Sequence, residues 1–402
     1  MQKAANHKSL LFTGLMVFAI LFSGCDKYFG DKTDSSFIDK PTYQQREIAF
    51  VPILPVLSKF VKPTDVLAGF DELIYIVDAG TEEIIAMDES GRELSRLKVP
   101  GVTTVVQDRK LDLLAIGTKE TKIANVTYQL SCIYRIDLHG TAGYGLKNAR
   151  IFNEIVHPFY YKTTFSSSDK DVKFTKIAIL ANNDYYVSRT GNSNNPNQFG
   201  GPDDAILLFG SNDKVITPVS VTTQSGGFFG DYFKKPSGLC GLVQPPQLTA
   251  KGKADFIYTS TEPSNAIKVQ YIEYNESEFG SSYSPKIYAV GDTSQARGFL
   301  TFPGKFSKPE HIILAGDGTG FIFVTDTDKD SLYLFSSNGF EGVKPLPGSN
   351  QKKYINVSFG GQGLGATQFN NPKGVAYKNK ILYVADSGNG RILRFKLTTD
   401  FD

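Results

Sequence analysis

From about residue 46 to the end, the chain is built of short apolar runs separated by polar turns. Leu73-Ile74-Tyr75-Ile76-Val77, Phe321-Ile322-Phe323-Val324 and Ile381-Leu382-Tyr383-Val384-Ala385 are typical. β-Branched and aromatic residues fill these runs, and Gly, Asn, Asp and Ser bound them, so each predicts a strand. No stretch of useful length keeps a helical period of apolar positions, which predicts an all-β body. Two segments break the pattern. Leu10 to Phe22 is an uncharged apolar run, and residues 26–45 are polar, charged and without a period.

The apolar run follows Lys3 and Lys8 and ends in Leu21-Phe22-Ser23-Gly24-Cys25. It is shorter than the roughly 20 apolar residues that a membrane helix needs, and charge, apolar run and small residues come in the order of an export leader. The last five residues resemble the lipobox of bacterial lipoproteins, with Phe22 where that family most often has Leu. The resemblance implies cleavage before Cys25, acylation of its thiol and amine (palmitate among the chains) and attachment to the cell envelope. The expected organisation is a leader over 1–24, a lipidated tether over 25–45 and a single domain over 46–402. Asp26 after the cysteine is read differently by different bacteria. The outer membrane, on its periplasmic or surface face, is the favoured address, and the inner membrane is the alternative.

The C-terminal stretch carries the clearest repeat. A Gly-rich approach, Gly360-Gly361-Gln362-Gly363, leads to Phe369, then Pro372-Lys373-Gly374-Val375-Ala376, then Leu382-Tyr383-Val384-Ala385-Asp386, a Ser387-Gly388-Asn389-Gly390 turn and Arg391-Ile392. This unit resembles the NHL repeat at nearly every position. The resemblance implies a β-propeller, most often of six blades, in which Asp386 and Arg391 brace each other as a structural pair. Fainter copies begin at Lys62-Pro63 and Lys308-Pro309, without the Arg. Three more degenerate ones span Val102 to Asp137, Phe174 to Phe209 and Pro236 to Tyr271. The expectation is therefore a six-bladed NHL-like propeller. Its last blade lacks an outer strand, because the chain ends at Asp402; Glu47 to Leu54 is expected to supply it and close the ring.

Composition narrows the function classes. Removal of Lys3 and Lys8 takes the formal charge from +2 to zero, which leaves no electrostatic case for nucleic acid. Trp is absent, which counts mildly against a glycan-stacking surface. Cys132 and Cys240 fall in non-adjacent repeats and read as small buried apolar residues.

Relatives of such propellers include lactonases and lyases that hold a metal in the central tunnel. Here the inner-strand starts offer only Asp65, Glu310 and His311 as ligands, beside Lys176 and Lys373, which repel a cation. Asp326-Thr327-Asp328-Lys329-Asp330 imitates the opening of a calcium loop, but Ser331 and Ser337 stand where Gly and Glu are required, so it reads as a solvated acidic turn. No nucleophile elbow is present; Ser237 and Cys240 read as scaffold. No catalytic residue, metal or cofactor is expected.

Three long inserts remain: His157 to Phe165, Thr190 to Asp204 and Ser225 to Lys235. Phe159, Tyr160, Tyr161, Phe228, Phe229, Tyr232 and Phe233 lie on them and are candidates for contact with a partner. Together these features point to a lipid-anchored scaffold that binds an envelope protein or peptide, with an outer-membrane assembly as the expected setting. A metal-dependent hydrolase or lyase working in the tunnel is the alternative.

Overall fold

A computed structural model describes residues 48–223, 225–242, 254–278, 280–287 and 293–401. The leader, Cys25 and the tether lie outside these residues, as do Glu47 and Val243 at the ends of two expected strands. Residues from Ile48 onward form one unit.

Six antiparallel sheets, the blades, surround a central tunnel. Their innermost strands are Pro63–Ala68, Thr104–Gln107, Lys173–Ile179, Pro236–Gly241, Pro309–Leu314 and Pro372–Lys378. The second strands, such as Ile74–Asp78 and Ile322–Asp326, are buried along their whole length, which explains their unbroken apolar runs. The outer strand Glu93–Lys98 is largely exposed and polar. Apolar cores form where neighbouring blades meet. Val66, Ile74, Ile76 and Ile85 of the first blade, for example, pack with Ala376, Tyr383, Ala385 and Ile392 of the last.

The ring closes as expected. Phe50–Leu57 pairs antiparallel with Arg391–Leu397, Phe50 opposite Leu397 and Pro52 opposite Phe395, as the fourth strand of the last blade. The close approach of first and last blades also explains Gly374: a Cβ there would lie 2.6 Å from the Asp65 Cα and 2.8 Å from the Val66 amide nitrogen.

The Asp that ends the second strand staples the segment entering its blade. Asp78 accepts from the Val61 and Lys62 amides, both at 2.8 Å. Asp386 accepts from the Asn370 amide at 2.7 Å and from Arg391 Nε at 2.7 Å, and Arg391 goes on to the Leu364, Gly365 and Gln368 carbonyls. Asp326 plays the same part with the amides of Ser307, Lys308, Asp328 and Lys329. This corrects the expectation of a solvated acidic turn at Asp326, while Asp328 in the same turn is exposed. Asp326 is fully buried, its charge met by backbone N–H groups.

Blade four departs most from four strands. A small hairpin, Val221–Thr222 with Phe228–Phe229, joins its outer edge through a parallel bridge from Val221 to Tyr283 and makes a six-stranded sheet.

Candidate functional site

At the start of each inner strand one residue faces its counterparts around the ring. In chain order these are Asp65, Thr104, Lys176, Gly238, His311 and Gly374, and at all but Thr104 the ladder is locally irregular. Two of the positions are glycine, which leaves room for the long side chains to meet. Lys176 Nζ reaches Asp65 Oδ2 at 3.0 Å and Thr104 Oγ1 at 3.1 Å. His311 Nε2 lies 2.9 Å from Asp65 Oδ1. The Thr104 hydroxyl and the Val66 and Val105 amides also donate to the same carboxylate.

Burial alone would raise the Asp65 carboxyl, but Lys176 and His311 hold it well below the usual range. Burial lowers Lys176 against the pull of Asp65. Burial, then Lys176, lowers His311 as well, so its imidazole is neutral and Nε2–H is the donor to Asp65.

The structure thus brings together Asp65 and His311 of the expected tunnel set, and adds Lys176. Glu310 stands apart, one residue earlier, 2.6 Å from Lys373 Nζ and 2.8 Å from Lys308 Nζ. These residues do not fit a metal. Asp65 already receives five donors, one of them an ammonium that a cation would have to displace, and Glu310 is held by two lysines. A second group, Asp112, Asp137 and His139, has ligand atoms within 4.8 Å of one another, which the sequence did not suggest. Arg150 already holds Asp137 at 3.1 Å, and Arg135 lies 3.6 Å from Asp112.

From this polar layer a cavity of about 510 Å³ runs along the inner strands towards their C-terminal ends. Its walls include Val66, Ala68, Val106, Ile177, Leu239 and Ile313, and its mouth Phe70, Glu72, Asp317 and Lys378. Cys240 lines it too; burial pushes its thiol up to about 12, and the thiol accepts from the Leu314 amide at 3.1 Å. Cys132 and Cys240 are both free and buried.

The inserts lie at the other end of the ring. In an antiparallel meander, the links from second to third strand and from one blade to the next share one end, and the mouth of the cavity is at the opposite one. Residues 157–172 link blades two and three, 191–204 join the second and third strands of blade three, and 219–235 link blades three and four. They touch one another: Tyr161 packs on Phe199 with ring centroids 5.9 Å apart, Gly230 borders Pro196, and the Lys235 amide donates to Asp204 at 3.1 Å.

The aromatic candidates divide by burial. Tyr160 accepts from Arg189 at 2.5 Å and packs on Phe174 and Phe209. Tyr161 packs on Tyr160 and lies under Arg189. Phe233 is fully buried against Phe256 and Tyr258, and Tyr232 donates to Gln270. Phe233 is thus core, Tyr160, Tyr161 and Tyr232 are half-buried against their neighbours, and the other three candidates stay exposed. Phe228 is 73% exposed, Phe229 43% and Phe159 40%, and Phe199, which the sequence reading passed over, is 76% exposed.

Residues 369–395 match the family model of the NHL repeat. The match falls on the last blade. Its Asp386 and Arg391 are the ion pair described above, and its Pro372-Lys373-Gly374 start supplies the glycine that lets first and last blades meet. No curated protein matches the chain's sequence. Among solved structures, the PQQ-bound aldose sugar dehydrogenase from Streptomyces coelicolor is similar with a TM-score of 0.50 and 13% identity, over 87% of this chain and 98% of that one. A gluconolactonase from Xanthomonas campestris gives 0.48 and 8%, over 85% and 87%. An auxiliary nutrient binding protein from Bacteroides thetaiotaomicron gives 0.47 and 12%, over 84% and 69%. At these identities the likeness is one of fold.

Proposed function

We propose that the protein is a lipid-anchored envelope scaffold that docks a protein or peptide partner on the insert-bearing end of its propeller. One observation carries this reading: three separate inserts converge on that end and leave Phe159, Phe199, Phe228 and Phe229 exposed there. Aromatic side chains held on a rigid body lose little entropy on binding and are frequent anchors of interfaces. The lipobox at Cys25 supports the envelope address, and the tether over 26–45 would give the ring reach from the membrane. The tunnel chemistry gives the enzymatic alternative little support, because Lys176 occupies the charge that a metal would need.

The test is affinity purification of the full chain from detergent-solubilised envelope, beside a Phe228→Ser, Phe229→Ser double variant. One enriched partner with the native chain, lost in the double variant, is expected. The same partner recovered equally with both, or none with either, would refute the assignment.

A further inference from the structure

The tunnel lies at the opposite end of the ring from the inserts, and its chemistry does not depend on the scaffold reading. Its volume, about 510 Å³, falls within the roughly 300–1,000 Å³ of ordinary small-molecule pockets. Its composition is that of such a pocket: aliphatic walls with polar groups gathered at one depth. That depth is a built floor. Asp65, Lys176 and His311 come from three different blades and meet across the tunnel, with Gly238 and Gly374 at the positions on either side of His311.

The floor is not saturated. Lys176 has three ammonium hydrogens; Asp65 and Thr104 take two, and the third has no partner among the described residues. The Lys176 side chain keeps 10% of its surface exposed at the closed end of the cavity. His311 Nδ1 is also without a hydrogen-bond partner among the described residues. The charges of Asp65 and Lys176 cancel and His311 is neutral, so the floor favours neither an anion nor a cation. What it offers is a charge-assisted donor at the bottom of an apolar shaft.

We propose that the tunnel binds a small neutral molecule with an apolar body and one hydrogen-bond-accepting end, such as a ketone, ester or ether. The molecule enters past Phe70 and Lys378, lies along Val66, Ala68, Leu239 and Ile313, and accepts the third hydrogen of Lys176.

The probe is the naphthalene ketone prodan, whose emission shifts on leaving water. It is titrated with the full chain in nonionic micelles. Two plugged variants, Ala68→Trp and Ile313→Trp, fill the shaft and report the micelle background. The native chain should show saturable one-to-one binding in excess of both. An analogue with the carbonyl reduced to methylene should bind the native chain about fivefold more weakly, the worth of roughly one hydrogen bond. Lys176→Met should lose the same factor for prodan and nothing for the analogue. No saturable excess over the plugged variants would overturn the site. Equal binding of ketone and analogue by the native chain would overturn the role of the floor, and that comparison holds even where Lys176→Met does not fold.

Discussion

Replacing Lys176 by methionine keeps most of its stem but strips the ammonium from Asp65. Asp65 is then a buried carboxylate facing a neutral imidazole, 2.9 Å from His311 Nε2. Removing one partner of a buried ion pair costs about 3–5 kcal/mol, and Lys176 has too little exposure for solvent to soften this much. His311 gives the loss a pH dependence that a simple packing defect would lack. In the native chain burial and Lys176 hold the imidazole below its ordinary value, so the unfolded chain takes up that proton first as pH falls, and His311 costs stability below about 6.5. In Lys176→Met the opposing cation is gone and Asp65 keeps hydrogen-bond donors but no ammonium, so His311 in the folded state should rise above its unfolded value. Its contribution is then full at low pH and lost as pH rises through the new value, at up to about 1.4 kcal/mol per pH unit. Urea unfolding followed by circular dichroism at pH 5.5 and pH 8 reads this directly. The variant should fall short of the native chain by about 3–5 kcal/mol at pH 8 and by clearly less at pH 5.5. A deficit below about 1 kcal/mol at pH 8, or one independent of pH, would show that Asp65 does not rely on Lys176.

Other outcomes follow from the same contacts. Gly374→Ala should cost about 1–3 kcal/mol in urea unfolding, since the atoms met are backbone and cannot turn aside, while Gly230→Ala, with nothing nearer than 3.8 Å, should be nearly silent. His157 is buried among Tyr160, Tyr161 and Phe174, with neither ring nitrogen hydrogen-bonded among the described residues and Asp169 Oδ1 3.8 Å from Nε2; burial, then Arg189 and Lys162, against Asp169, pulls it down to about 3. The native chain should therefore lose stability as pH falls from about 6.5 toward 3, and melting curves of His157→Phe should show a shallower decline; an unchanged slope would exclude His157 as a source of acid lability. Cys25→Ser should abolish incorporation of labelled palmitate and release the protein from the membrane fraction; retention of either would remove the lipobox assignment.

The frame of the molecule was readable because it rests on local chemistry. Pro372-Lys373-Gly374, the Asp386–Arg391 pair and the Gly-rich turn lie within one repeat, and the unpaired edge of that repeat pointed to a strand over Glu47 to Leu54, where Phe50–Leu57 is the strand that forms. The tunnel floor was half-readable. Asp65 and His311 could be placed at inner-strand starts, but the group they form includes Lys176, 111 residues from Asp65, with glycines on either side of His311, an arrangement that registers only once the ring is closed. The aromatic inserts could not be sorted by sequence at all. Phe228 and Phe233 share one short glycine-rich segment, yet Phe228 is exposed and Phe233 is buried against Phe256 and Tyr258, residues more than 20 positions away. Asp326 looked solvated for a similar reason: its partners are backbone amides, which leave no mark in a sequence.

The claim at the centre of this account is that the propeller meets its partner through the insert-bearing end. Photo-cross-linking in intact cells tests it most directly, with benzoylphenylalanine placed at position 228 or 199 on that end, or at position 379 beside the cavity mouth. Adducts of one common mass from 228 and 199, and none from 379, are predicted. Cross-links from 379 alone, or the same adduct from all three positions, would contradict it.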